Sequence, residues 1–114
     1  MSRQASGLKA WIVQRVSALY LAVFLSYLLV HFTLSPPGDH GALSAWVSSP
    51  PVTIALLLFI PVLLAHAWVG IRDVLIDYVH PLGARLLLLS LFALLLLASG
   101  LWALTAILNA TARA

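Results

Sequence analysis

Four side chains in this sequence have both the chemistry and the placement to do more than fold: His66, Arg15, Asp77 and Tyr78. His66 lies deep in an apolar run and is the only titratable residue between Val52 and Ile71. An ionisable group at membrane depth is expensive and is a functional candidate by default. Three readings are open for it. It is a core histidine satisfied by a serine or a backbone carbonyl, or a proton relay, or an axial ligand of a haem iron, since a neutral imidazole binds iron well. Gly70, one helical turn later, favours the third, because a flat macrocycle needs a place without a side chain. One histidine supplies only one axial ligand, so a second would come from another chain.

If the stretch is helical, His66, Gly70, Asp73 and Asp77 fall at i, i+4, i+7 and i+11, on one face. Asp77 and Tyr78 come where that helix meets water. A phenol there can donate a hydrogen bond to a carbonyl of a lipid-soluble substrate such as a quinone. The plainer reading is a tyrosine of the interfacial aromatic belt beside a helix-end carboxylate. Arg15 sits in the first turns of the first apolar run, where its plain reading is a cation snorkelling to the interface. Asp73 beside Arg72, with Arg85 across the turn, reads as surface charge pairing. His31 and His40 offer little.

These residues need a frame, and composition says what kind. The chain has 114 residues, 63% hydrophobic and 8% charged, with mean hydropathy +1.09. Soluble domains carry about 25% charged residues, so this chain belongs in lipid. The net charge of +3 comes from six Lys and Arg scattered beside apolar runs, which does not suit nucleic acid. There is no cysteine, hence no disulfide framework or thiolate metal site. The first apolar run is too long for a signal-peptide core and is expected to be a retained transmembrane helix. No phosphate loop, carboxylate pair for a metal or nucleophile arrangement is present, and the chain has too little polar material to be an enzyme alone.

A span needs roughly 20 residues, which places an all-α, three-helix membrane domain over 1–114 with helices at about 11–33, 52–79 and 85–108. Ser6-Gly7 reads as a loop before the first helix. Ala18, Ala22 and Ser26 form a small-residue stripe that invites another helix. Residues 34–51 read as a loop with Trp46 at the interface. Pro61 is placed to kink the second helix one turn before His66. Ser99, Gly100 and Ala103 offer a packing face on the third. Arg3, Lys9, Arg15, Arg72 and Arg85 fall on one side and Arg113 alone on the other. The positive-inside rule then puts the N-terminus and the 80–83 turn in the cytoplasm.

The segment H-A-W-V-G-I-R-D-V-L-I-D-Y-V-H-P, residues 66–81, resembles the signature of the small hydrophobic membrane-anchor subunit of bacterial succinate dehydrogenase, the D chain of complex II. In that family H-x-W-x-G is followed by D-Y. The pattern at 11–18, with Trp11, Gln14, Arg15, Ser17 and Ala18, is similar to the start of the family's first helix. The resemblance covers essentially the whole chain. It implies that His66 is an axial ligand of haem b, with the other ligand on a partner cytochrome b subunit. It implies that Tyr78 hydrogen-bonds ubiquinone with Asp77 beside it, and that Arg15 faces a haem propionate. A flavoprotein subunit and an iron–sulfur subunit would dock on the cytoplasmic side of the bacterial inner membrane, joining the tricarboxylic acid cycle to the respiratory chain. It gives Arg72-Asp73 no role. The other readings are a fumarate reductase anchor, or a small proton-relay subunit of another respiratory complex.

Overall fold

The computed structural model describes residues 3–112; Arg113, counted above on the C-terminal side, lies outside the described residues. Four helices follow in order: α1 (Arg3–Leu34), α2 (His40–Val47), α3 (Pro50–Tyr78) and α4 (Leu82–Ala112). No strand occurs among the described residues. Three helices are long and apolar enough to cross a membrane, over Gly7–Leu34, Pro50–Tyr78 and Leu82–Ala112. The fold is therefore all-α with three spans, as the apolar runs imply.

The helices are longer than the runs that announce them. The 29 residues of α3 rise about 43 Å at ~1.5 Å each, more than the ~30 Å hydrocarbon core. Helix hydrogen bonding therefore continues past the apolar stretch until the sequence forbids it. At the start of α1, Ser6-Gly7 lies within the helix and forms no loop. A single glycine costs only about 1 kcal/mol relative to alanine, too little to break a helix whose neighbours are Ala, Leu and Lys. α1 stops just before Ser35-Pro36-Pro37, because a residue preceding proline disfavours the α region.

The expected 34–51 loop contains α2. Its N-cap is Asp39, whose Oδ1 accepts the Ala42 backbone N–H at 2.7 Å. Trp46 of α2 stacks on His31 of α1, with ring centroids 5.0 Å apart, and meets Phe32 edge-on. α3 opens with Pro50 and Pro51 in its first turn, where the missing N–H costs least, and it continues through Pro61 as one helix. It ends before His80-Pro81. There Arg85 Nε donates to the Val79 carbonyl at 3.0 Å, placing a cation at the C-terminus of α3.

α3 is the central element. α1 and α4 each pack along it, and among the described residues their backbones do not approach one another. Toward α1 the contact runs through Ser17, Leu21 and Phe24, all buried. The Phe24 and Phe59 rings lie 5.1 Å apart, and Tyr20 Oη donates to the Ala55 carbonyl at 2.6 Å. The Ala18–Ala22–Ser26 stripe is not this interface, for Ala22 and Ser26 are exposed. The larger side chains one step around the helix supply the contact instead. Toward α4, Gly100 is buried against Leu64, and a Cβ added there would lie 2.5 Å from Leu64 Cδ1. Ala103 is half-buried while Ser99 is exposed, so only part of the expected packing face is used. Most leucines of α4 point outward, as they do where lipid is the solvent.

Candidate functional site

His66 lies on the side of α3 that meets α1 and is half-buried. Its Nδ1 is 2.9 Å from the Ser17 hydroxyl. Ser17 is the one buried polar side chain among the described residues, 6% exposed, and its Oγ also donates to the Gln14 carbonyl at 3.1 Å. The imidazole is thus held through Nδ1, and among the described residues Nε2 has no partner. The sequence leaves a serine open as a partner of His66 but does not say which one. Ser17 entered only as a member of the 11–18 pattern, since a serine within a span says nothing until the facing helix is known.

One turn along α3, Gly70 faces Gln14, and a Cβ built on it would sit 3.7 Å from Gln14 Nε2. Gln14 Oε1 is buried without a hydrogen-bond partner among the described residues. Such an acceptor is open to a hydrogen bond from a water or a bound group. It lines a cleft of about 450 Å³ with Trp11, Arg15, Val69, Arg72 and Asp73. In that cleft Arg72 pairs with its neighbour Asp73 at 3.1 Å, an exposed pair that adds little stability. Arg15 is exposed, and its guanidinium carbon lies 5.6 Å over the Trp11 ring. Arg85 does not join these charges, being spent on the end of α3.

A second recess of about 520 Å³ borders Ser17 and is apolar, walled by Val16, Tyr20, Pro61, Val62 and Ala65. Ser17 stands at the apolar recess and Gln14 at the polar cleft. Both clefts are open at the side.

These features fit an amphipathic, metal-centred group. A bare imidazole nitrogen can ligate iron, an apolar recess can take ring edges, and Arg15 and Arg72 can meet anionic arms. A metal bound by protein ligands alone is not indicated, because no cluster of three His, Cys, Asp or Glu occurs among the described residues. The four singled-out residues do not gather at one point. His66 and Arg15 are on facing helices, with Arg15 only two residues before Ser17. Asp77 and Tyr78 stand at the end of α3, eleven and twelve residues beyond His66, or about 16–18 Å along the axis. Tyr78 is 78% exposed. The single stripe expected for His66, Gly70, Asp73 and Asp77 is therefore divided, its first two members against α1 and its last two exposed.

A family model described as the succinate dehydrogenase/fumarate reductase transmembrane subunit matches residues 1–102. A succinate dehydrogenase hydrophobic membrane anchor subunit of Coxiella burnetii is 36% identical over 101 residues, covering 85% of this chain and 84% of that one. Its counterpart from Rickettsia felis is 34% identical over 98 residues, covering 82% and 81%. A third, from Rickettsia conorii, is 34% identical over 88 residues, covering 74% and 69%.

Proposed function

This chain belongs to the succinate dehydrogenase/fumarate reductase transmembrane subunit family, as a hydrophobic membrane anchor subunit of succinate dehydrogenase, and from that premise we propose that it holds haem b and ubiquinone jointly with a second membrane subunit. It is a multi-pass protein of the bacterial inner membrane and a non-catalytic member of an oxidoreductase complex. The proposed partners are a cytochrome b subunit in the membrane and an iron–sulfur subunit and a flavoprotein subunit outside it. The proposed orientation is N-terminus inward, with the α3–α4 turn on the cytoplasmic side. Five cations against one support it.

The observation that carries the haem reading is the Ser17–His66 pair, in which Nδ1 is engaged and, among the described residues, Nε2 is left without a partner near the middle of α3. His66 would hold the haem iron from this chain, and a histidine of the cytochrome b subunit would hold it from the partner. Arg15 would face a propionate from the polar cleft, with Gln14 offering its orphan Oε1 as a further polar contact. Haem b, when bound, supplies a one-electron centre within the membrane. The second membrane subunit would close both clefts and shield His66 from water.

At the cytoplasmic end, Tyr78 donates its hydroxyl hydrogen bond to a quinone carbonyl. Two electrons from the soluble subunits and two protons convert the quinone to the quinol. Negative charge builds on the carbonyl oxygens as electrons arrive, so a fixed donor stabilises the transition state more than the ground state. Asp77, exposed beside Tyr78, orients that donor or the waters that bring protons.

The test is a reduced-minus-oxidised spectrum of the complex purified through this chain, wild type and His66→Ala. A b-type haem signal in the wild type that is lost in an otherwise assembled His66→Ala complex is expected. An undiminished signal in the variant would refute the ligand assignment.

A further inference from the structure

We infer that Ser17 is the positioning residue for His66, fixing the imidazole as its Nδ1–H tautomer so that Nε2 presents a bare lone pair. As a statement about iron ligation this rests on the haem reading; as a statement about the tautomer it stands on the hydrogen bonds alone. Ser17 Oγ lies 3.1 Å from the Gln14 carbonyl and 2.9 Å from His66 Nδ1. A hydroxyl has one proton to give and two lone pairs to receive, and a carbonyl oxygen can only accept. The Gln14 contact is therefore a hydrogen bond only if Ser17 donates to it. Ser17 then has no proton left for His66, and the 2.9 Å contact requires Nδ1–H to donate to the hydroxyl. A neutral imidazole carries one proton, so Nε2 is unprotonated.

The reverse assignment is worse on two counts. If Ser17 gave its proton to Nδ1, the Gln14 contact would cease to be a hydrogen bond. The ring proton would move to Nε2, where among the described residues no acceptor meets it. Both contacts are satisfied in one tautomer only. That tautomer is the one a metal ligand needs, and a ring N–H bonded to an oxygen on the far side raises the basicity of the ligating nitrogen. The bond also crosses from α1 to α3, so it sets the plane of the ring as well as its proton. Ser17 is 6% exposed, and water does not compete for its hydroxyl.

Two measurements test this. In the full chain reconstituted in lipid bilayers with 15N-labelled histidine, the signal lost in His66→Ala identifies the ring. Wild type is expected to show one tautomer, protonated at Nδ1. Ser17→Ala should abolish that preference, and Ser17→Thr, which keeps a hydroxyl able to bond the same carbonyl, should restore it. A wild-type ring protonated at Nε2 would overturn the inference. In the assembled complex, Ser17→Ala should raise the haem midpoint potential, since a less electron-rich ligand stabilises the ferric form less, and Ser17→Thr should bring it back. An unchanged potential in Ser17→Ala, with haem still lost in His66→Ala, would overturn the link to the iron while leaving the ligand assignment intact. Haem retained in His66→Ala would instead overturn the ligand assignment and leave the tautomer result untouched.

Discussion

A Cβ built on Gly70 of α3 would stand 3.7 Å from Nε2 of Gln14 on α1, an ordinary packing distance. Nothing in the chain's own packing thus demands glycine there. The demand would come from a flat group lying against the helix beside His66. Gly70→Ala is expected to leave insertion and helix content unchanged, and even to favour the helix by up to about 1 kcal/mol. Haem content per assembled complex should fall. Wild-type haem content in this variant would show that the gap does not serve the macrocycle.

Arg15 lies over Trp11 at 5.6 Å, an exposed cation–π contact worth about 0.5–1 kcal/mol. Its loss should barely affect the fold. Arg15→Leu should insert and assemble yet lose haem or shift its spectrum, because a charge-assisted bond to a carboxylate would be missing. An unaltered spectrum and occupancy would leave Arg15 as a snorkelling residue that stacks on Trp11.

Tyr78→Phe keeps the ring and removes the donor. Quinone reductase turnover should drop while haem content and assembly stay normal. Removing one donor from an oxyanion site costs on the order of 10²-fold, and the loss here should be smaller where other subunits also hold the quinone. Normal turnover in a fully assembled Tyr78→Phe complex would place the residue in the interfacial belt only.

Gly100 is a close approach between α3 and α4, with Leu64 Cδ1 2.5 Å from a would-be Cβ. Gly100→Ala asks only that Leu64 change rotamer, at about 1 kcal/mol. Gly100→Ile should push the helices apart and lower the thermal stability of the assembled complex by roughly 1–3 kcal/mol. Equal melting temperatures for both variants and wild type would mean that this contact does not hold α4.

The three spans were legible because each rests on about 20 mostly apolar residues without a Lys, Arg, Asp or Glu, a signal that tertiary context does not alter. α2 was not, since Pro36-Pro37-Gly38 and Ser49-Pro50-Pro51 mark turns more strongly than the eight residues between them mark a helix. Asp39 before that segment was the available N-cap signal. His66 stood out by type and depth alone. Ser17 did not, because its role exists only once α1 and α3 are placed side by side. The Ala18–Ala22–Ser26 spacing marked a small-residue stripe correctly but could not tell which neighbour it meets; the Ser17, Leu21 and Phe24 side of α1 faces α3 instead. Asp73 and Asp77 shared a spacing with His66, yet both are exposed, because periodicity fixes a face and not its depth.

The most direct test of the whole account is the distance from His66 Nε2 to iron in an experimental structure of the assembled complex. A bond of about 2 Å is expected, as for other metal–imidazole contacts, with Ser17 still bonded to Nδ1. A His66 Nε2 lying beyond about 3 Å from any iron, too far for a metal–imidazole bond, would contradict it.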